Sequence, residues 1–122
     1  MINTYDIFTG HDLQIAEKIQ QRRYQMLIHS CLYYHLNNNI ISDKQWDSWA
    51  RELRDLQNQY PEISEQVRLY EYFSDWDAST GAFLPITLDW VIARAKTFIT
   101  KVEKKKLPQV QKKKKQASRR LF

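Results

Sequence analysis

Five residues on either side of a short polar loop have the types and spacing to hold a flat cation. Tyr33 and Tyr34 precede the run Asn37-Asn38-Asn39, and Asp43, Trp46 and Asp47 follow it. Positions 43, 46 and 47 are spaced i, i+3 and i+4, so on a helix their side chains share one face. With the two segments as antiparallel helices, the tyrosines oppose that face. Two aromatic planes flanked by two carboxylates suit a cationic ring that carries an amide donor, and oxidised nicotinamide is such a ring. A plainer reading stands beside it. Aromatics at a hairpin end belong to many cores, and carboxylates in a first helical turn complement the helix dipole. Spacing alone leaves both open.

Other constellations are weaker. His11, His29 and His35, with Asp43 or Asp47, follow no known metal-ligand spacing. Cys31 is the single cysteine, which excludes an internal disulfide and multi-thiolate metal sites. On a helix face it reads as a small buried hydrophobe rather than a nucleophile. Asp75 and Asp77 flank Trp76 and have the chemistry for acid–base work, but in a turn-rich segment they read as exposed turn acids. With glycine only at positions 10 and 81, a dinucleotide fingerprint and a phosphate-cradling loop are excluded. No catalytic residue and no metal ligand is expected, and the chain does not read as an enzyme.

The elements that must position these groups are helical. From about Asp12 to His35, apolar residues (Ile15, Ile19, Met26, Leu27, Tyr33, Tyr34) recur at three- and four-residue spacing with no glycine or proline. The asparagine run then suits a cap and turn. Ser42 followed by Gln45 has capping-box spacing and predicts a helix start, with Trp46, Trp49, Ala50, Leu53 and Leu56 on its buried face. Tyr60-Pro61 ends that helix and opens a third over about 62–73, carrying Ile63, Val67, Tyr70 and Phe73. Residues 74–86 are turn-rich. A last helix after Thr87 presents Leu88, Val91, Ile92, Ala95, Ile99 and Val102. The predicted fold is all-α, a small bundle of about four helices built on an antiparallel hairpin at about 12–60.

The 122 residues divide by charge. Residues 1–100 hold 9 Lys/Arg against 13 Asp/Glu, a net −4, whereas residues 101–122 hold 10 against one, a net +9. A helical domain over 1–103 and a basic tail over 104–122 follow. Pro108 is expected to end any helix entering that tail. Lys104, Lys105, Lys106, Lys112, Lys113, Lys114, Lys115, Arg119 and Arg120 either form a solvated, self-repelling end or grip the phosphates of a nucleic acid or nucleoprotein. Nothing resembles a signal peptide, and no apolar run approaches the roughly 20 residues of a membrane span. The expected location is the cytoplasm, without a membrane partner.

The block from His29 to Ile63 resembles the small N-terminal Ia domain of bacterial NAD-dependent DNA ligases. The family pattern runs His-x-x-x-Tyr-Tyr, a short loop, Ser-Asp-x-x-Tyr-Asp, then Arg-Glu-Leu and Pro-Glu-Leu. Here His29, Tyr33, Tyr34, Ser42, Asp43, Asp47, Arg51-Glu52-Leu53 and Pro61-Glu62-Ile63 stand in register, within a resemblance covering residues 14–64. The resemblance implies a helical hairpin that captures the nicotinamide mononucleotide (NMN) half of NAD. It puts the stacking positions on Tyr33 and Trp46, the hydrogen-bonding carboxylates on Asp43 and Asp47, and the Tyr/His position on Tyr34. Trp46 replaces the second tyrosine, Cys31 stands where an aromatic is common, and Asn37 stands where Asp is common.

The nucleophile motif Lys-x-Asp-Gly of the ligase adenylation domain does not occur, since the chain contains no Asp-Gly. Residues 70–86 resemble small phage-encoded proteins that carry a stand-alone hairpin of this kind. The expected function is a non-catalytic module, of phage or prophage origin, binding NMN, NAD or a protein partner through Tyr33, Tyr34, Asp43, Trp46, Asp47 and His29. No cofactor is required in that reading. Two alternatives stay open. One is a split subunit that complements a separately encoded ligase. The other is an inhibitor of a host nucleic-acid-processing protein, such as a CRISPR effector nuclease, using the acidic body and basic tail.

Overall fold

The computed structural model describes residues 8–113, with side chains described over 8–103. Five α-helices make up the chain there: α1 Gly10–Ser30, α2 Asp43–Gln59, α3 Pro61–Gln66, α4 Tyr70–Phe73 and α5 Asp89–Lys113. No strand occurs among the described residues. The fold is all-α.

The long helix α1 is the axis of the molecule. Ala16, Ile19, Met26 and Leu27 on one stripe are fully buried, and that stripe packs on α2, α3 and α5. Ala50 and Leu53 face it from α2, Ile63 from α3, Phe73 from α4, and Val91 and Ala95 from α5. The start of α2 follows its capping residue. Ser42 is extended, and its Oγ accepts from the Gln45 N–H at 3.0 Å, satisfying one orphan donor of the first turn. At the other end Pro61 opens α3 directly, where its missing N–H costs nothing.

Four expectations are corrected. The first helix begins at Gly10 rather than Asp12, with Thr9 extended ahead of it. Its last five residues, Cys31–His35, form a π-helical turn. The wider turn closes through Leu36 N–H to Cys31 O at 3.0 Å. It keeps Cys31 and Leu32 in the core and leaves Tyr33 and Tyr34 about half exposed, at 50% and 47%.

The third helix is broken in two, because Val67 is extended and Leu69 is left-handed (φ 72°). The cause is Arg23, a buried cation at a core position of α1. Its guanidinium donates to Val67 O (2.9 Å), Arg68 O (3.0 Å), Ser64 O (3.2 Å), Ser64 Oγ (2.6 Å) and Gln57 Oε1 (2.9 Å). A cation inside the core needs every donor met, and the carbonyls that meet them are those freed where the helix stops.

Lastly, α5 continues through Pro108 to Lys113. A proline removes one ladder bond and is a site for a kink, which need not end a helix already running. Residues 1–7 of the expected irregular lead-in lie outside the described residues.

Candidate ligand-binding site

At the hairpin end the backbone opens a cavity of about 240 Å³. Tyr33 and Tyr34 line it from the π turn, Asn38 to Ile41 from the connecting loop, and Ser42, Asp43, Trp46 and Asp47 from the start of α2. His29 reaches it from the last turn of α1. All six residues singled out from the sequence for ligand binding therefore border one cavity. Ser79 and Thr80 complete its lining.

Local chain geometry explains how each group is held. Asn37 adopts a left-handed conformation (φ 53°), and Asn38 N–H returns to Leu32 O at 2.7 Å, which turns the chain out of the helix. The two tyrosine rings meet edge to face at 4.8 Å. Across the cavity Trp46 is half-buried and backed by the edge of Trp76 at 6.2 Å, which in turn packs on Phe73 at 5.2 Å. Gly81 presses against the same group. A Cβ there would lie 2.0 Å from Ser30 Oγ and 3.3 Å from Trp46 Cζ2.

The electrostatics are one-sided. His29 is 7% exposed, between the rings of Trp49 (5.5 Å) and Phe98 (5.2 Å). Burial pushes its pKa down from 6.5 to about 4, so the imidazole is neutral at pH 7. Asp43 and Asp47 are exposed. Asp47 lies 3.9 Å from Arg51 one turn on, a solvated pair that takes little from its charge. Asp43 has no ion-pair partner among the described residues. No Lys or Arg borders the cavity. The site thus offers two carboxylates, flat aromatic faces, and neutral amides and hydroxyls.

The remaining candidates fall elsewhere. His11 packs on Tyr60 at 6.3 Å, His29 is buried and His35 is exposed. Among the described residues no group of three or more His, Cys, Asp or Glu is placed to hold a metal ion. Cys31 is fully buried, and burial raises its thiol pKa, which disfavours a thiolate. Asp77 accepts from the Ser79 N–H at 2.9 Å, and its bonds to Ser79 hold its carboxyl below the usual range. It serves as a turn acid beside the cavity. Lys104, Lys105, Lys106, Lys112 and Lys113 lie on the final turns of α5, whereas Lys114, Lys115, Arg119 and Arg120 lie outside the described residues. No described helix is long and apolar enough to cross a membrane.

Sequence reasoning missed Ser79, Thr80, Trp76 and Gly81. One signal was present: a glycine in a chain that holds only two marks a close approach of backbone.

Residues 12–66 match the family described as DNA ligase-like, N-terminal NAD+-binding domain. The DNA ligase of Bacteroides fragilis is 43% identical over 54 residues, covering 44% of this chain and 8% of the ligase. That of Flavobacterium johnsoniae is 39% identical over 54 residues with the same coverage. The Thermotoga maritima ligase is 32% identical over 50 residues, 41% of this chain and 7% of the ligase. The likeness thus spans less than a tenth of these ligases' length. No solved structure matches the chain. Residues 12–66, which hold every cavity residue except Ser79 and Thr80, belong to the DNA ligase-like, N-terminal NAD+-binding domain family.

Proposed function

We propose that the hairpin end binds the nicotinamide half of NAD, presented as NMN or as NAD+. The observation that carries this reading is the convergence of Tyr33, Tyr34, Asp43, Trp46, Asp47 and His29 on one cavity with no cation in its lining. The pyridinium ring stacks between Tyr33 and Trp46, as it would between any two flat π-faces. Its positive charge faces Asp43 and Asp47, and its carboxamide NH2 donates to a carboxylate. A neutral His29 leaves that negative field unopposed.

Size supports the same ligand. Pockets for whole drug-sized molecules run to about 300–1,000 Å³, and this one is about 240 Å³. It suits a ring with part of its ribose, which leaves the adenylate half of NAD in solvent. NMN and NAD+ therefore bind with similar affinity, and AMP does not compete.

Calorimetric titration with NMN is the test. Trp46→Ala removes a stacking surface of about 1–3 kcal/mol, and Asp43→Ala removes the unpaired carboxylate. Both weaken binding. A folded protein that gives no heat with millimolar NMN overturns the reading.

A second reading places the same pocket in the service of a separately encoded adenylation subunit. It is favoured by the confinement of the match to residues 12–66. Mixing the chain with a ligase stripped of its own N-terminal hairpin then restores adenylate transfer from NAD+. Failure of that mixture with several such ligases refutes it.

A further inference from the structure

The cavity is not built by residues 12–66 alone. Its remaining wall, Ser79 and Thr80, comes from the turn-rich segment between α4 and α5, beyond the end of the ligase-like match. That segment is tightly fixed. The Trp76 indole N–H donates to Thr80 O at 2.7 Å, Ala82 N–H donates to Thr80 Oγ1 at 3.1 Å, and Gly81 is buried against Ser30 and Trp46. From this fixed position Thr80 Oγ1 lies 2.9 Å from Tyr34 Oη. Tyr34 is otherwise about half exposed, and its ring meets that of Tyr33 edge to face.

We propose that Thr80 is a positioning residue for this site: its hydroxyl tethers Tyr34, and through Tyr34 it sets the face that Tyr33 presents to the ligand. An exposed tyrosine has freedom about two side-chain torsions, and a stacking platform that swings costs ordering free energy when the ligand lands. The tether spends that cost at folding instead of at binding. Two anchors behind Thr80, the Trp76 indole and the buried Gly81, also support Trp46 on the opposite wall. One loop therefore sets the separation of both aromatic walls. The specificity of the pocket then depends on residues 76–81 as much as on the hairpin.

The ligand half of the test rests on the nicotinamide reading above. Thr80→Val keeps the branched shape and loses the hydroxyl, whereas Thr80→Ser keeps the hydroxyl. Thr80→Val weakens NMN binding about fivefold, the equivalent of one net hydrogen bond, and Thr80→Ser binds as the parent does. Tyr34→Phe has the same effect as Thr80→Val, and the double variant loses no more than either single one. Additive losses refute the tether, because Thr80 then acts on the ligand and not through Tyr34. Parent protein that binds NMN alongside an unaffected Thr80→Val also refutes it, while leaving the nicotinamide reading intact. Parent protein that does not bind NMN refutes that reading instead. The tether is then judged by nuclear Overhauser contacts between the Tyr34 ring and residue 80. They are present in the parent and in Thr80→Ser and lost in Thr80→Val; their persistence in Thr80→Val overturns the proposal.

Discussion

Acid should unfold this protein through one residue at the base of its cavity. His29 is 7% exposed and its pKa is lowered from 6.5 to about 4 by burial. Between those values the unfolded chain takes up a proton that the folded chain refuses, so stability rises with pH across the window and falls as pH drops. The contribution is intact above 6.5 and is lost as pH falls towards about 4. At about 1.4 kcal/mol for each pH unit crossed, the loss between pH 7 and 4.5 is about 2 kcal/mol. With a urea slope of about 1–3 kcal/mol per molar, the midpoint moves down by about 1–2 M. Urea unfolding at the two pH values measures it, and His29→Gln, which cannot titrate, supplies the baseline. The parent's midpoint falls further than the variant's. In parallel, the His29 Cε1 proton resonance of the folded protein stays constant from pH 7 to 5. Equal pH dependence in parent and variant, or a His29 resonance that titrates near 6.5, refutes the argument that burial holds this imidazole neutral.

Arg23→Met removes five donor contacts and strands Ser64 and the carbonyls of Val67 and Arg68. A loss of about 3 kcal/mol in urea unfolding is expected, and a loss below 1 kcal/mol contradicts the role given to Arg23. Gly81→Ala drives a methyl to 2.0 Å from Ser30 Oγ and 2.7 Å from Ser30 Cβ, costing about 1–3 kcal/mol; a thermal midpoint unchanged from the parent refutes the contact. Ser30 Oγ is buried without a partner, so Ser30→Ala leaves stability unchanged or raises it by up to about 1 kcal/mol, measured in the same assay. Asp43→Asn weakens NAD+ several-fold but leaves NADH, whose nicotinamide is uncharged, as it was; equal effects on the two in a fluorescence titration remove the electrostatic part of the reading.

The hairpin was legible because its signals are local. Ser42 and Gln45 sit three residues apart, and the cap they imply forms. The apolar stripe of α1 is regular enough that Ala16, Ile19, Met26 and Leu27 are all fully buried. The i, i+3, i+4 spacing of Asp43, Trp46 and Asp47 needs only helix geometry to bring them together at the cavity. What escaped was set by contacts distant in sequence. No glycine or proline marks the break at 67–69; a guanidinium more than 40 residues earlier imposes it. The place of Thr80 at the cavity likewise depends on Trp76, Tyr34 and Ser30, and no periodicity announces a loop that is held by side chains. The π turn shares this character. Its five residues read as one more turn of α-helix until the burial of Cys31 and Leu32 is weighed against the exposure of the tyrosines.

That turn also separates the fate of the pocket from the fate of the fold. An α-helix rotates about 100° per residue, and a π turn absorbs one residue more than an α turn does. Tyr33 and Tyr34 are thereby phased one residue away from the apolar stripe that precedes them. A single codon removed between positions 31 and 35 would return the segment to α register, keep the helix, and rotate the tyrosines off the cavity. Substitutions erode a site by degrees, whereas a change in residue count here erases it in one step and leaves the core of α1 in place. Chains built on this hairpin are thus to be compared by the length of the stretch from His29 to Ser42 as well as by the residues within it.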